Sequence, residues 1–204
     1  MVNTCRAFVD GGAHAVVCIH SHCPQGLEVY AGAPIVYCPG NFFFPRAPYN
    51  PKSFWWSGYL PKFTFDREGA TAVEILPYRF RPDPWRIECF PETQQAAFLR
   101  YLSELSALIA DPENVQSLFE AWSAKRSNIL NAICSGTWPW PKDFQDSQQV
   151  KEVLSLRNLL TCEAHHEVLI TVMRLVEEYR LEAAQADWPR IEALQSAAFL
   201  ESEE

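Results

Sequence analysis

Apolar and polar positions change rhythm once along this chain, near residue 90. Before that point the apolar residues come in short runs punctuated by glycine and proline. Runs at 15–19, 27–30 and 34–38 predict strands, the last two joined tightly around Ala31-Gly32. Phe54 to Tyr59, Lys62 to Asp66 and Ala70 to Arg81 predict further strands, with Arg67-Glu68-Gly69 as a turn. Arg86 to Phe90 predicts one more, short strand. At the start, Thr4 to Gly12 reads as the end of a helix stopped by Gly11-Gly12. Residues 45–51 carry three prolines and read as a loop.

After residue 90 the period becomes helical. Pro91-Glu92-Thr93 suits a first turn, because proline there gives up no needed donor. Phe98, Leu99, Leu102, Leu105, Leu108 and Ile109 then recur at helical spacing. Asp111-Pro112 restarts the chain with Asp111 as N-cap, and a second stripe runs from Val115 to Ile133. Ser135 to Pro141 breaks it. A long third pattern spans 147–181, and a short fourth spans Trp188 to Phe199. The expected class is therefore α+β, with residues 1–90 β-rich and residues 91–204 a helical C-terminal region.

Charge follows the same division. Residues 1–90 hold eight Lys/Arg and seven Asp/Glu, whereas 91–204 hold nine and eighteen. An acidic helical part without basic clusters argues against nucleic-acid binding and against an anionic membrane surface. Nearly half of the 204 residues are apolar, enough for a real core and too many for a disordered chain. No apolar run approaches the roughly 20 residues of a membrane span. No basic start with an apolar stretch marks a signal peptide. The seven cysteines are odd in number and lack zinc-ribbon spacing. Reduced thiols in the cytoplasm are the default expectation. The closing Glu201-Ser202-Glu203-Glu204 reads as a solvated tail.

The candidate chemistry lies just past the first strand, at His20-Ser21-His22. Side chains at i and i+2 of a strand share a face, so a strand end would present the two imidazoles side by side. Neutral imidazole is the commonest metal ligand. The alternative is a pair of hydrogen-bonded loop histidines. Gly40-Asn41 reads as a turn that either simply returns the chain or also shapes a pocket; glycine permits backbone shapes other residues resist, and Asn tolerates a left-handed conformation or can donate to a bound oxyanion. Cys162, His165 and His166 have i, i+3 and i+4 spacing, which suits either a helical metal face or a core cysteine with two exposed histidines. Cys18 and Cys23 flank the histidine pair, as cluster members or as buried thiols. Trp55-Trp56 and Trp138/Trp140 are either a stacking surface or core and loop anchors.

Several of these motifs occur together in one known family. The run from Gly12 to Gly26, containing Val16-Val17-Cys18-Ile19-His20-Ser21-His22, resembles a segment of CapA-type proteins of bacterial capsule, or poly-gamma-glutamate, biosynthesis. Leu27-Glu28-Val29-Tyr30 and Gly32 to Phe42, ending in Gly40-Asn41-Phe42, resemble the strands that follow it there. The stretch from Asn158 to Glu167 is similar to a helical segment of some members. Cys18-Ile19 replaces the family's Gly-His, and Cys38-Pro39 replaces its Ser-Leu.

The resemblance implies a calcineurin-like metallophosphoesterase fold, an αββα sandwich with a two-metal site (Mn, Fe or Zn) at strand ends. His20 and His22 match its last metal-binding motif, and Gly40 and Asn41 lie beside the site. The family's earlier Asp, Asn and His ligands lie upstream. This chain therefore reads as the C-terminal portion of a CapA-like domain over 1–90, truncated or shortened, with an incomplete metal site and no activity alone. A lost N-terminal signal or anchor would go with that reading. Three functions remain open: a capsule-synthesis protein working with others of that pathway, a metal-dependent phosphoesterase, and a non-catalytic remnant or interaction module. Unpaired strand edges would favour self-association.

Overall fold

The computed structural model describes residues 1–44, 50, 52–81 and 84–196, apart from the side chain of Thr71. Most of the proline-rich loop at 45–51 and the acidic tail lie outside the described residues. The fold is α+β, as the two rhythms predict. It divides into two compact units, one holding Met1–Pro112 and the other Glu113–Gln195.

The first unit contains α1 (Val2–Asp10), β1 (Val16–Val17), β2 (Leu27–Tyr30), β3 (Ala33–Val36), β4 (Ser57–Phe65), β5 (Ala70–Arg81), β6 (Arg86–Cys89) and α2 (Glu92–Ala110). Two three-stranded sheets form, in the orders β1-β3-β2 and β4-β5-β6. β3 lies at the centre of the first, parallel to β1 and antiparallel to β2. Its alternating side chains serve two cores. Ile35 and Tyr37 pack with Cys5 of α1, while Val36 packs with Tyr59, Phe90, Phe98 and Leu102. Coverage on both faces explains why the stretch from Ala33 to Cys38 is apolar without alternation.

α2 covers the open edge of β2. Leu27 N–H donates to Ser106 Oγ at 3.0 Å, and a Cβ on Gly26 would lie 2.8 Å from Ser106 N. Only glycine allows that approach, and the helix caps an edge that would otherwise pair with another chain. α2 thus belongs with the strands, so the unit boundary falls after Pro112, whereas the rhythm changes near 90. α1 is tied by a forked ion pair: Arg6 Nε and Nη2 donate to Glu28 Oε1 and Oε2 at 3.0 and 2.6 Å. Tyr37 Oη donates to the same carboxylate at 2.6 Å. Cys5 and Cys18 face each other with sulfurs 3.2 Å apart, and burial pushes the Cys5 thiol up to about 11.

The second sheet is built on a long hairpin. The two strands expected at 54–59 and 62–66 are one, β4, entered by a 3-10 turn at Phe54–Trp56 that Ser53 Oγ caps. The turn at its far end is closed by Asp66, whose Oδ1 accepts from Glu68 and Gly69 N–H at 2.8 and 3.1 Å. The base of the hairpin is buried; towards the tip Leu60, Phe65 and Leu76 are exposed. The expected strand at 15–19 contracts to Val16–Val17.

The second unit is helical: α3 (Pro112–Ala124), α4 (Ser127–Cys134), α5 (Ser147–Thr161), α6 (Glu163–Glu177), α7 (Leu181–Ala186) and α8 (Trp188–Gln195). Two helices expected to be continuous are each broken. The first breaks at Lys125-Arg126, the second at Cys162, whose backbone is extended (φ −80°, ψ 118°). Asp146 caps α5, its carboxylate accepting from Gln148 and Gln149 N–H. Ala124 and Ala184 are small enough to let helices close on Leu175. Glu120 is buried and paired with Arg174 and Arg180. Among the described residues no helix is long and apolar enough to cross a membrane.

Candidate functional site

His20 and His22 lie in the loop beyond β1, three and five residues past its last residue. The strand-end argument for their pairing therefore does not apply. Both instead have positive φ, 117° and 58°. Each such non-glycine residue costs on the order of 1 kcal/mol, so surrounding contacts must hold the loop. The backbone reversal still brings the rings together, with centroids 6.0 Å apart.

Asn41 supplies the holding contacts. Its side chain is 8% exposed, and its Nδ2 donates to His22 O at 3.3 Å and to Trp55 O at 3.1 Å. Both acceptors are carbonyls, so the amide orientation is set. Oδ1 then faces His22 Nδ1 at 2.7 Å and must accept from it. His22 consequently carries a hydrogen on Nδ1, so the Nε2 lone pair is the one its neutral form would offer. A carbonyl holding the opposite ring nitrogen is the usual outer support of a metal-binding histidine. Trp55 stacks on the His22 ring at 4.7 Å and 24°, with Phe44 packed against it at 5.3 Å.

The two sheets meet under this loop. Gly40 and Gly58 form an isolated antiparallel bridge, and Tyr59 N–H donates to Pro39 O at 2.9 Å. Gly40 has φ +89°, and a Cβ there would sit 2.8 Å from Ser57 O. Gly58 is tighter still: a Cβ would meet Tyr78 Oη at 2.5 Å and Pro39 O at 2.6 Å. Tyr78 Oη donates to Asn41 O at 2.8 Å, and burial raises its pKa well above the usual tyrosine range. Gly40 and Asn41 thus make specific contacts that hold this loop. Trp55 is visible in the sequence only as half of a tryptophan pair. Tyr78 and Gly58 carry no local signal at all.

The other sequence candidates have varied surroundings. Cys23 is partly buried with Ser21 and Gln25 near its sulfur, and burial raises its pKa. Cys38 is buried in the core. Trp56 is buried against Phe80 and stacks on Trp85, whereas Trp140 is exposed. Cys162 sits at a helix break, so it does not share one continuous helix with His165 and His166. All seven cysteines are free. A larger cavity of about 460 Å³ lies between the ends of α1 and the two hairpin turns. It shares no residue with the histidine pair, and its Asp66 is committed to the hairpin turn.

His20 and His22 are two imidazoles, the side-chain type that most often ligates a metal. Zinc takes four ligands, or about three in a catalytic site. Among the described residues no group of three His, Cys, Asp or Glu is placed to hold an ion. The pair by itself falls short of either count.

Comparison with known proteins bears on the same segment. Residues 1–46 match the family model described as bacterial capsule synthesis protein PGA_cap. That span includes α1, the first sheet, the histidine loop and the Gly40-Asn41 turn. No curated protein matches the chain.

Proposed function

We propose that this chain is a CapA-like protein related to bacterial capsule, or poly-gamma-glutamate, synthesis, and that His20 and His22 are ligands of a divalent metal (Mn, Fe or Zn) in a metallophosphoesterase-type centre. The observation that carries this reading is the Asn41 clamp, which commits His22 Nδ1 as donor and leaves Nε2 as the lone pair of its neutral form. The capsule-synthesis match over residues 1–46 supports it, since the match spans the whole motif. The reading requires further ligands beyond the pair, since among the described residues no third one joins it. When bound, such a metal would act as a Lewis acid and lower the pKa of a bound water. The chain's own part is to orient two imidazoles and wall the site with Trp55 and Phe44. Other capsule-synthesis proteins are its proposed partners.

The test is a titration of the full chain with Mn²⁺ and Zn²⁺, followed by histidine ring resonances in NMR spectra. Selective broadening by Mn²⁺ at His20 and His22, lost in His22→Ala, is expected. Asn41→Ala should weaken binding about tenfold, as removal of outer-shell support does. Equal broadening at all five histidines, or binding unchanged in His22→Ala, would overturn the reading.

A second reading, a non-catalytic interaction module, is favoured by one observation. Among the described residues no third ligand joins the pair. Release of phosphate from p-nitrophenyl phosphate, lost in the His20→Ala/His22→Ala protein, would decide against it.

A further inference from the structure

The second unit contains a cavity of about 270 Å³ where four helices converge. Its walls are mostly apolar: Ile129 from α4, Leu159 from α5, and Val168 and Leu169 from α6. Trp122 and Arg126 form one side, and His165 another. Among the described residues no acidic one lines it, although this unit is rich in carboxylates.

Arg126 is the unusual member. The other arginines packed in this unit have acids: Arg174 and Arg180 pair with Glu120, and Arg190 with Asp187. Arg126 pairs with no carboxylate among the described residues. Its guanidinium carbon lies 3.3 Å from the centre of the Trp122 ring, and Nη1 donates to Trp122 O at 2.8 Å. A guanidinium has five N–H donors, so this contact leaves most of the fork unused. Burial works against its charge and lowers its pKa. A half-buried, stacked, unpaired guanidinium is preorganised for an anion, since it has already lost water and rotamer freedom.

His165 adds a second donor. Asn158 Nδ2 lies 3.1 Å from His165 Nδ1, which must accept from the amide. The ring hydrogen is then on Nε2. One cation and one neutral donor match a single negative charge, and the apolar walls require an apolar body.

We propose that the cavity between α3, α4, α5 and α6 binds a small organic carboxylate with an apolar body, its carboxylate held by Arg126 and His165 and its body against Trp122, Leu159 and Val168. The volume suits a compact molecule, near the lower end of ordinary ligand cavities of roughly 300 Å³. The site is independent of the histidine pair.

The test titrates the full chain with benzoate, benzamide and inorganic phosphate, followed by NMR of the indole N–H and histidine ring signals. Benzoate should bind at least about tenfold more tightly than benzamide, since a charge-assisted bond separates them. The shifts should centre on Trp122 and His165, and phosphate should produce none. Arg126→Gln should erase the preference for benzoate. Equal binding of benzoate and benzamide, an effect of phosphate at the same signals, or an unchanged preference in Arg126→Gln would overturn the proposal. Should Arg126→Gln fail to fold, the benzoate and benzamide comparison on the unaltered chain decides alone.

Discussion

The two units bury different kinds of residue. In the first, the fully buried side chains include Tyr37, Tyr59, Phe80 and Phe98, set between two sheets and two helices. In the second, Ala121, Ala124, Ser123 and Thr171 are buried beside Val172 and Leu175, with Glu120 carrying a charge into the interior. Large aromatic side chains remove much apolar surface from water per residue, and their fit is sensitive to single atoms. Small residues let helices approach closely but bury little, so ion pairs and caps carry a larger share. The first unit gains from this a base rigid enough to hold two histidines in left-handed backbone. The second leaves a cavity with an arginine that pairs with no carboxylate among the described residues.

This contrast can be broken by experiment, most strongly in the aromatic core. Phe98 is 0% exposed and packs on Tyr59 and Phe90. Phe98→Ala should cost about 4 kcal/mol, and native-state hydrogen exchange should show the loss in the first unit. Leu175→Ala, in the second unit, should cost about 3 kcal/mol. A larger loss at Leu175 would reverse the ranking of the two cores.

Glu120→Ala sharpens the second half of the comparison. Its two arginines are about half exposed and can rehydrate, which lowers the penalty for breaking a buried pair to about 2 kcal/mol. Asn41→Ala should cost on the order of 2 kcal/mol, because two carbonyls and His22 Nδ1 lose their partner together. Its distinguishing signature is the His22 ring, which should show both tautomers by nitrogen chemical shift. A single, unchanged tautomer would show that the stacking on Trp55 suffices.

Acid should act on the first unit. The Arg6 guanidinium holds the Glu28 carboxyl below its ordinary 4.5, against the opposing effect of burial. For Glu88, burial works to raise the pKa, and the bonds from Arg81 and Arg79 overrule it. A depressed carboxylate stabilises the fold fully above its ordinary pKa, and the contribution is lost as pH falls through the lower, folded value. Stability should therefore drop as pH falls below about 4.5. Glu28→Gln should flatten that slope in denaturant melts. An unaltered slope would assign the acid limb to other groups.

Much of this organisation was legible along the chain. Glycine at 11–12, the Asp66 to Gly69 turn, Pro91 before α2 and the restart at Asp111-Pro112 each act through backbone sterics or hydrogen bonds over a few residues. The class α+β followed from the change of period. The helix breaks were not legible, because apolar spacing runs through Arg126 and Cys162 without interruption. Nor was the membership of α2, which depends on Phe98 and Ser106 meeting residues far away in sequence.

The sequence by itself determined the change from strand to helix period, several turns and caps, and that a histidine pair follows the first strand. The tertiary structure decided how that pair is held. His22 meets Asn41, Asn41 meets Tyr78, and Gly58 leaves room for Tyr78 and the Pro39 carbonyl. The contacts span up to 37 residues, beyond the reach of any local preference, and they override the propensity of His20 and His22 to stay extended. The same holds for Arg126. Its charge is plain in the sequence, but only packing against Trp122 and the absence of a nearby acid among the described residues make it a candidate anion site.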